Sequence, residues 1–319
     1  MSILTSILAT ALFGITPDLA LENTNIVSYD DTHHWADYNR FRVDLSLSHV
    51  KHAAFSAKLI VDNETYYSEQ PASLRNKSLI HRGYLQYRGA THFWTVGRQR
   101  VPFGVGRVWN PVDVFDPIDF QARETAERRG TEAIHYEYAV SALANLDLTA
   151  AKGRLAARLK GYLEVADVAL VAVHDDDEDR DVIGWEMQGE IAATGIEVRS
   201  EGGSFYDRRA HERFTEFLVG AEYGWVNSLT LLGEYKYNDD SKIDYGALQL
   251  SYQFSMLWSG RLLGVLNLDD QSSFIAPSLH YSAADEITVQ LGALIYHGTS
   301  RDEFGSQADQ LFARLFIHF

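Results

Sequence analysis

The sequence predicts an all-β protein, a transmembrane antiparallel β-barrel of about 16 strands, with roughly 14 to 18 compatible with the pattern. Three observations support this fold class. Apolar residues recur at every second position from Tyr38 to the end of the chain. The candidate strands are about 9–12 residues long, which is longer than the strands of most soluble sheets. The last strand ends the chain on an aromatic residue, Phe319.

Composition narrows the class of function before any motif is considered. The chain has 319 residues, no cysteine and a formal net charge of −16. It can bury a large core without disulfides, and thiolate metal sites and cysteine redox chemistry are excluded. Because phosphate binding needs a basic surface, the acidity also excludes a nucleic-acid-binding protein.

The amino terminus resembles a secretory leader. The apolar run at residues 6–15 is too short for a membrane helix and is followed by small residues, which predicts cleavage after Ala20. No Lys or Arg precedes this run, so a first β-strand is the alternative. We therefore expect a leader at residues 1–20 and one β-barrel domain at residues 21–319.

The strands can be read in order from the alternation. Phe41, Val43, Leu45 and Leu47 alternate with polar residues, and the same period continues through the chain. Later strands at residues 217–225 and 229–237 are separated by three residues, as in a hairpin. Residues 140–175 divide ambiguously, which is why the strand number is a range.

Several features favour a membrane barrel over a soluble β-sandwich. Apolar rows often end in Trp or Tyr, as an interfacial aromatic girdle requires. Short connections alternate with longer acidic ones, which we expect at residues 174–181, 204–213 and 297–309. The predicted location is the bacterial outer membrane, in contact with its lipid and lipopolysaccharide.

The C-terminal stretch "LFARLFIHF" is the most specific signal of this location. It resembles the terminal-strand signal of Gram-negative outer-membrane β-barrels. The resemblance implies recognition of the strand ending at Phe319 by the barrel assembly machinery.

A second resemblance is carried by "RGYLQYRG" followed by "WTVGRQRVPFGVGRVWNPVDVFDP". These stretches, with later hairpins such as "LTLLGEYKYN", resemble proteobacterial outer-membrane barrels of the porin and alginate-export type. The resemblance covers most of the chain from about residue 38. It implies a porin-like barrel and does not identify a solute.

Residues 101–130, called segment 101–130 below, form a connection too long for a simple turn. The segment contains several aromatic residues that must be buried and three prolines that stiffen it, so we expect it to be folded. It could fold into the lumen as a constriction or plug, or cover the barrel rim as a lid, and the charge distribution favours the lumen. Gly97, Gly104 and Gly106 are expected to allow the sharp departure from the strand.

Charge is concentrated around this segment. Residues 75–132 contain nine Arg and one Lys against six acids, so they carry +4 in a chain of −16. Opposed rows of Arg and carboxylate across a narrow pore would orient dipolar solutes and set ion preference. The alternative is that these charges pair with each other and hold the segment in place. The predicted pore-lining and constriction residues are Arg82, Arg88, Arg98, Arg100, Arg107, Asp113, Asp116, Asp119, Arg123, Glu124, Arg128, Arg154 and Arg158.

The sequence contains none of the common catalytic or metal-binding motifs, such as G-x-S-x-G, H-E-x-x-H or C-x-x-C-H. Asp175, Asp177 and Asp179 have the spacing of calcium ligands but lack the Gly and Glu of an EF-hand, so a solvated acidic loop is favoured. An outer-membrane hydrolase needs a Ser or Asp paired with a His, and His280 with the nearby Ser278 is the candidate pair. We expect no enzyme activity, no cofactor and no metal site.

The sequence therefore predicts a passive diffusion channel for small hydrophilic or charged solutes, narrowed by segment 101–130. The main alternative is a barrel that encloses a periplasmic partner, either a multihaem cytochrome or a polysaccharide-export component. Any haem would belong to that partner, because this chain has no cysteine to attach one. A barrel enzyme is the weaker alternative.

Overall fold

The computed structural model describes residues 15–49, 54–122, 124 and 127–319. These residues form eighteen β-strands. In chain order the strands are β1 Ile15–Asp30, β2 Trp35–His49, β3 Phe55–Ser68, β4 Ser73–Arg88, β5 His92–Gln99, β6 Thr131–Ser141, β7 Ala144–Ala151, β8 Arg154–Tyr162, β9 Ala166–Asp175, β10 Arg180–Glu190, β11 Ile196–Asp207, β12 Glu212–Gly224, β13 Leu229–Asn238, β14 Ile243–Gln253, β15 Trp258–Asn267, β16 Ser273–Ala284, β17 Ile287–His297 and β18 Gln310–His318.

The eighteen strands form one closed antiparallel sheet. Each strand pairs with its neighbours in sequence, and β1 pairs with both β2 and β18, which closes the barrel. Closure removes free sheet edges, so the backbone polar groups of the wall are paired within the protein, as a lipid environment demands. Within the described ranges no helix has the length and hydropathy of a membrane span.

The strand number is eighteen rather than about 16, at the upper end of the predicted range. The ambiguous region resolves into β7, β8 and β9, joined by tight connections at residues 152–153 and 163–165. A further strand, β1, begins at Ile15, within the stretch that the sequence assigned to a leader. Residues 1–14 of that predicted leader lie outside the described residues, while residues 15–20 pair with β2.

The two faces of the sheet differ as the alternation predicts. Large apolar side chains such as Leu170 and Ile183 are exposed on the outer face, where lipid would cover them. The inner face carries buried charged residues, including Arg199 and Glu201. Aromatic pairs such as Trp258 with Tyr281 lie near strand ends, with ring centroids 4.5 Å apart.

The connections are shorter than predicted. Half of residues 174–181 and six of the ten residues 204–213 belong to strands, and the turns between those strands are residues 176–179 and 208–211. The acidic residues were interpreted as loops, but many of them lie on strands. Charged side chains can face the barrel interior or the rim without interrupting a strand. The long connections in the described chain follow β5 and β17.

Segment 101–130 leaves the wall partway along its height. Strand β5 has 8 residues while the adjacent β4 has 16, and Arg98 near the end of β5 pairs with Gly83. Strand β4 extends ten residues beyond Gly83, to Ser73, without β5 beside it. The segment therefore leaves the wall about ten residues of β4 away from the end of the barrel that contains Ser73.

The outer face can be tested by placing a charge on it. We expect Leu170→Arg, at the centre of β9 with 67% of its surface exposed, to lower the free energy of unfolding by about 2–4 kcal/mol in lipid vesicles. Val226→Arg lies in the turn between β12 and β13 and should cost about 0–1 kcal/mol. Denaturant titrations of both variants measure the difference, and equal costs would contradict the assignment of the outer face.

Candidate pore-lining site

Backbone amides at the start of segment 101–130 are held by three glutamates of the inner face. Gly104 N donates to Glu186 Oε1 on β10 at 2.8 Å. The N–H groups of Val105 and Gly106 both donate to Glu201 Oε2 on β11. The next two amides, of Arg107 and Val108, donate to the two carboxylate oxygens of Glu234 on β13 at 2.7 and 2.8 Å. Five consecutive amides thus form an anion-binding arrangement that the protein's own carboxylates occupy.

Glycine is required at this contact. Gly104 has φ +83°, and a Cβ there would meet the carboxylate of Glu201. A Cβ at Gly106 would overlap the carbonyl oxygen of Trp109. At Gly104 the backbone can approach Glu201 only because a Cβ is absent, and at Gly106 the same absence lets the chain fold back against the carbonyl of Trp109. The left-handed backbone of Gly104 fits the expected bend, whereas Gly106 serves a close backbone approach.

Apolar residues of segment 101–130 pack into two clusters on the inner face. Phe103 and Phe115 are in contact, with ring centroids 5.5 Å apart, and pack with residues of β9 to β12. Trp109 lies in a second cluster with residues of β12 to β18. Burial of these rings accounts for the order of the segment, since each contributes a large apolar area.

The later part of the segment is held by ion pairs with other strands. Glu124 accepts from Arg40 on β2 at 2.7 Å and from Arg314 on β18 at 2.6 Å. Glu127 accepts from Arg42 on β2 at 2.9 and 3.1 Å. The guanidinium of Arg42 also forms a two-point contact with buried Asp62, at 2.7 and 2.8 Å.

A β-bulge supplies one more partner for this cluster. The register between β3 and β4 shifts at Ile60 and Val61, so His81 is extra on its strand. His81 is buried with Nδ1 3.3 Å from Asp62 Oδ2 and Nε2 3.6 Å from Glu127 Oε2. The bulge thereby allows His81 and the adjacent Arg82 both to face the interior.

These contacts reach the far side of the ring. Segment 101–130 connects β5 and β6, yet Trp109 contacts Tyr245 on β14 with ring centroids 5.8 Å apart. Phe120 contacts Phe274 on β16 at the same centroid distance. Strand β14 is nine positions from β5 in a ring of eighteen.

Most of the predicted site residues are paired. Arg154 lies 3.1 Å from Asp175 and donates to the carbonyl of Val114, while Arg158 donates to Asp147 at 2.7 and 2.8 Å. Arg128 lies 3.7 Å from Asp113. For these residues the structure favours the interpretation in which charges hold the segment in place.

Arg82 and Arg88 are different. Both line an inner cavity of about 430 Å³ together with Arg100. In the described part of the chain, neither Arg82 nor Arg88 has a carboxylate within ion-pair distance, and Arg100 has Asp116 only at 3.9 Å. A cavity lined by three arginines and one carboxylate, that of Glu137, is the strongest candidate for contact with a solute.

The remaining residues that were predicted to line the pore lie in several different environments. Arg98 was predicted to line the pore, but it points outward because its neighbour Gln99 points inward and adjacent residues of a strand face opposite sides. Arg98 pairs at 2.6 Å with Glu132, which is exposed on the outer face. Arg98 therefore does not line the inner wall. Arg107 is half exposed near Glu197, and Asp119 is exposed and accepts from the amide of Gln121. Arg123 lies outside the described residues.

The sequence analysis missed the glutamates that receive the amides and the cluster around Arg40 and Arg42. A signal existed, because Glu186, Glu201 and Glu234 occupy the polar phase of their strands. Nothing in one strand's alternation shows, however, that a distant segment packs against these carboxylates. That information comes only from the closure of the barrel.

Burial controls the ionisation of acids in segment 101–130. Burial raises the pKa of Asp113 from 3.8 to about 7, although the amides of Asp116 and Phe115 donate to its carboxylate. Burial also raises the pKa of Asp116 and of Glu124. For Glu127, burial is the largest single effect and acts to raise the pKa, but hydrogen bonding to Arg42 and the charges of Arg40 and Arg42 together outweigh it and lower the pKa.

The pair proposed for hydrolysis is close in space. Ser278 Oγ lies 3.3 Å from His280 Nε2 on the inner face of β16. The charged neighbours that act on His280 are Arg261 and Arg314. A serine–histidine site needs a carboxylate that orients the imidazole. In the described structure no carboxylate lies within ion-pair distance of His280.

Solved structures of bacterial outer-membrane proteins share this fold. OccK5 (OpdH) from Pseudomonas aeruginosa matches with a TM-score of 0.69 at 9% identity, over 95% of this chain and 97% of that one. The outer-membrane protein OpdK from the same organism matches with a TM-score of 0.66 at 9% identity, over 95% and 99%. A triple mutant of the Rh. blastica porin matches with a TM-score of 0.55 at 11% identity, over 95% and 100%.

At this identity the likeness establishes the fold alone, a closed antiparallel β-barrel like that of these outer-membrane proteins. It agrees with the predicted location in the bacterial outer membrane, to which the apolar outer face is also suited. No protein-family model and no curated protein sequence matches the chain.

The ionisation of Asp113 predicts how segment 101–130 responds to pH. Its folded pKa lies above the unfolded value, so its stabilising contribution is complete below about pH 4 and is lost as pH rises through about 7. We expect amide hydrogen exchange of residues 113–118, corrected for intrinsic rates, to be faster at pH 8 than at pH 5. In Asp113→Asn the difference should shrink, and an unchanged difference would assign it to other groups.

Proposed function

We propose that this protein is a passive diffusion channel of the outer membrane for small hydrophilic or charged solutes, with a lumen narrowed by segment 101–130. The observation that carries the proposal is the contact of this segment with strands on opposite sides of a closed barrel. A chain that leaves at β5 and contacts β14 from the inner face would lie across the lumen. It would divide an eighteen-stranded interior into narrower passages.

The surroundings of the segment support a fixed constriction. Three buried glutamates, two apolar clusters and the pairs at Glu124 and Glu127 hold it at several separate points. Displacing the segment would break its backbone hydrogen bonds to these carboxylates and expose the apolar residues of both clusters to water. We therefore expect the segment to remain in place while solutes pass.

Arg82, Arg88 and Arg100 are the groups that we propose to act on the solute. Their cavity also contains Gln86 and Thr95, which add hydrogen-bonding capacity. Three guanidinium groups line this cavity against the single carboxylate of Glu137, which creates a local positive potential that favours anions and orients dipolar solutes. The ion preference would then depend on these arginines rather than on the acidic net charge of the chain.

A barrel that encloses a periplasmic partner remains the second candidate, and it would need an open lumen. The contacts of Trp109 and Phe120 with the far wall leave less room for such a partner. An enzyme would need a third group beside Ser278 and His280. These observations support the channel over both alternatives.

Assembly and membrane contact are part of the same proposal. Phe319 is exposed, and its backbone exchanges hydrogen bonds with Leu21 at 2.7 and 3.1 Å. We propose that the barrel assembly machinery recognises β18 together with the aromatic residue Phe319 that follows it. Lipid and lipopolysaccharide would cover the outer face.

Ion selectivity tests the arginines. We expect the triple variant Arg82→Gln, Arg88→Gln, Arg100→Gln to shift the permeability ratio toward cations severalfold, because the positive potential in the cavity is removed. Reversal potentials of single channels in a planar bilayer under a salt gradient measure the ratio.

Arg209→Gln is the matched control, because Arg209 lies in the turn between β11 and β12 and is exposed. It changes the net charge without touching the cavity. A triple variant whose reversal potential equals that of the wild type would show that the three arginines do not set selectivity.

Conductance tests the constriction. Replacing residues 104–127 by a short Gly-Ser linker should raise single-channel conductance severalfold if the segment narrows the lumen. Heat-modifiable mobility on gels would show that the shortened chain still forms a barrel. An unchanged conductance in a folded barrel would contradict the constriction, and a wild type without channel activity would favour the enclosed-partner alternative.

A further inference from the structure

A cluster of possible metal ligands lies on the inner wall, on the side from which segment 101–130 departs. His135 and Glu137 project inward from β6, and Asp147 projects inward from β7. One ligand atom from each residue lies within 4.8 Å of the other two. A tetrahedral zinc ion holds neighbouring ligand atoms about 3.4 Å apart, so small side-chain rotations would close the site.

The register explains why two acids meet here. Glu137 and Asp147 are directly opposite each other across the β6–β7 ladder. Like charges at such a position destabilise a sheet unless a cation lies between them. Arg158 compensates in part, since it donates twice to Asp147 Oδ2, but it is also shared with Glu186 at 3.5 Å. Arg158 therefore neutralises this pair of acids only in part, although Arg88 and Lys160 also act on Glu137.

An orphaned oxygen points to a missing partner. Asp147 is 4% exposed, and its Oδ1 is buried without a hydrogen-bond partner. A buried carboxylate oxygen without a partner carries a desolvation cost that binding of a metal ion would offset. The second oxygen, Oδ2, is fixed by Arg158, so the carboxylate is already oriented.

The other two ligands are also held in place. His135 Nδ1 lies 2.9 Å from the hydroxyl of Thr149, an outer contact of the kind that orients metal-binding imidazoles. Glu137 Oε1 accepts from Asn145 Nδ2 at 3.0 Å. Each of the three side chains therefore has one fixed contact.

We propose that His135, Glu137 and Asp147 form a binding site for a divalent transition-metal ion, of which Zn²⁺ fits best. One imidazole and two carboxylates favour zinc over calcium or magnesium, which prefer oxygen ligands alone. His135 and Glu137 also line the 430 Å³ cavity that contains Arg82 and Arg88. A fourth coordination position would face that cavity, so a bound ion would be accessible from the pore. Arg88 and Lys160 are the other cations that act on Glu137, and their repulsion sets a limit on affinity.

Calorimetry with ZnCl₂ tests the proposal on the folded, chelator-treated full chain in detergent. We expect saturable binding of one ion that excess Ca²⁺ does not displace. Glu137→Gln and His135→Ala should weaken it at least about tenfold. His280→Ala is the matched control, because His280 is another inner-face histidine with arginine neighbours.

Two results would overturn the proposal. One is the absence of saturable Zn²⁺ binding, and the other is binding that both variants retain or that Ca²⁺ displaces. The second result would assign the ion to the acidic rim, where His174 lies beside Asp176 and Asp181.

A measurement on the wild-type chain avoids any folding defect of the variants. Zn²⁺ should protect His135 from diethyl pyrocarbonate, as read by mass spectrometry, while His280 is modified equally with and without the ion. Equal modification of His135 in both conditions would contradict the proposal. Neither binding nor protection depends on channel activity, so failure of the metal site and failure of the channel function are distinguishable.

Discussion

The contact between five consecutive backbone amides and three buried glutamates is the interaction on which the interior of this barrel depends. Each partner is costly alone, because a buried carboxylate without hydrogen bonds and a buried amide without an acceptor both lose their hydration. Together, the amides of residues 104–108 and the carboxylates of Glu186, Glu201 and Glu234 satisfy each other. Glycines at 104 and 106 are the steric condition for this contact.

The other interior contacts are consistent with that arrangement. The start of segment 101–130 is held against β10 to β13, and its aromatic side chains contact the apolar residues of both inner-face clusters. Its later acids then reach Arg40 and Arg42 on β2. The pairing divides the arginines of the interior into two groups. Those that bind the segment are paired with acids, whereas Arg82 and Arg88 form no ion pair in the described structure and line an inner cavity.

The same wall shows how a β-barrel can build a site from residues that are distant in sequence. Residues two apart on one strand share a face, and the register of the next strand decides what stands opposite them. His135, Glu137 and Asp147 meet by this rule. The closed sheet therefore also fixes side chains on its inner face with the rigidity that a ligand site needs.

The sequence by itself determined the barrel, its outer face and its two-residue period, because alternation is a local property that every strand displays. It also indicated that segment 101–130 is ordered, since its aromatic residues had to be buried. It did not determine the strand number, because tight turns at 152–153 and 163–165 leave little trace in composition. Which charges are paired, which arginines remain free of acids, and where Asp147 meets Glu137 were decided only by the tertiary structure. These properties depend on register and on closure of the ring, and neither is encoded within any one strand.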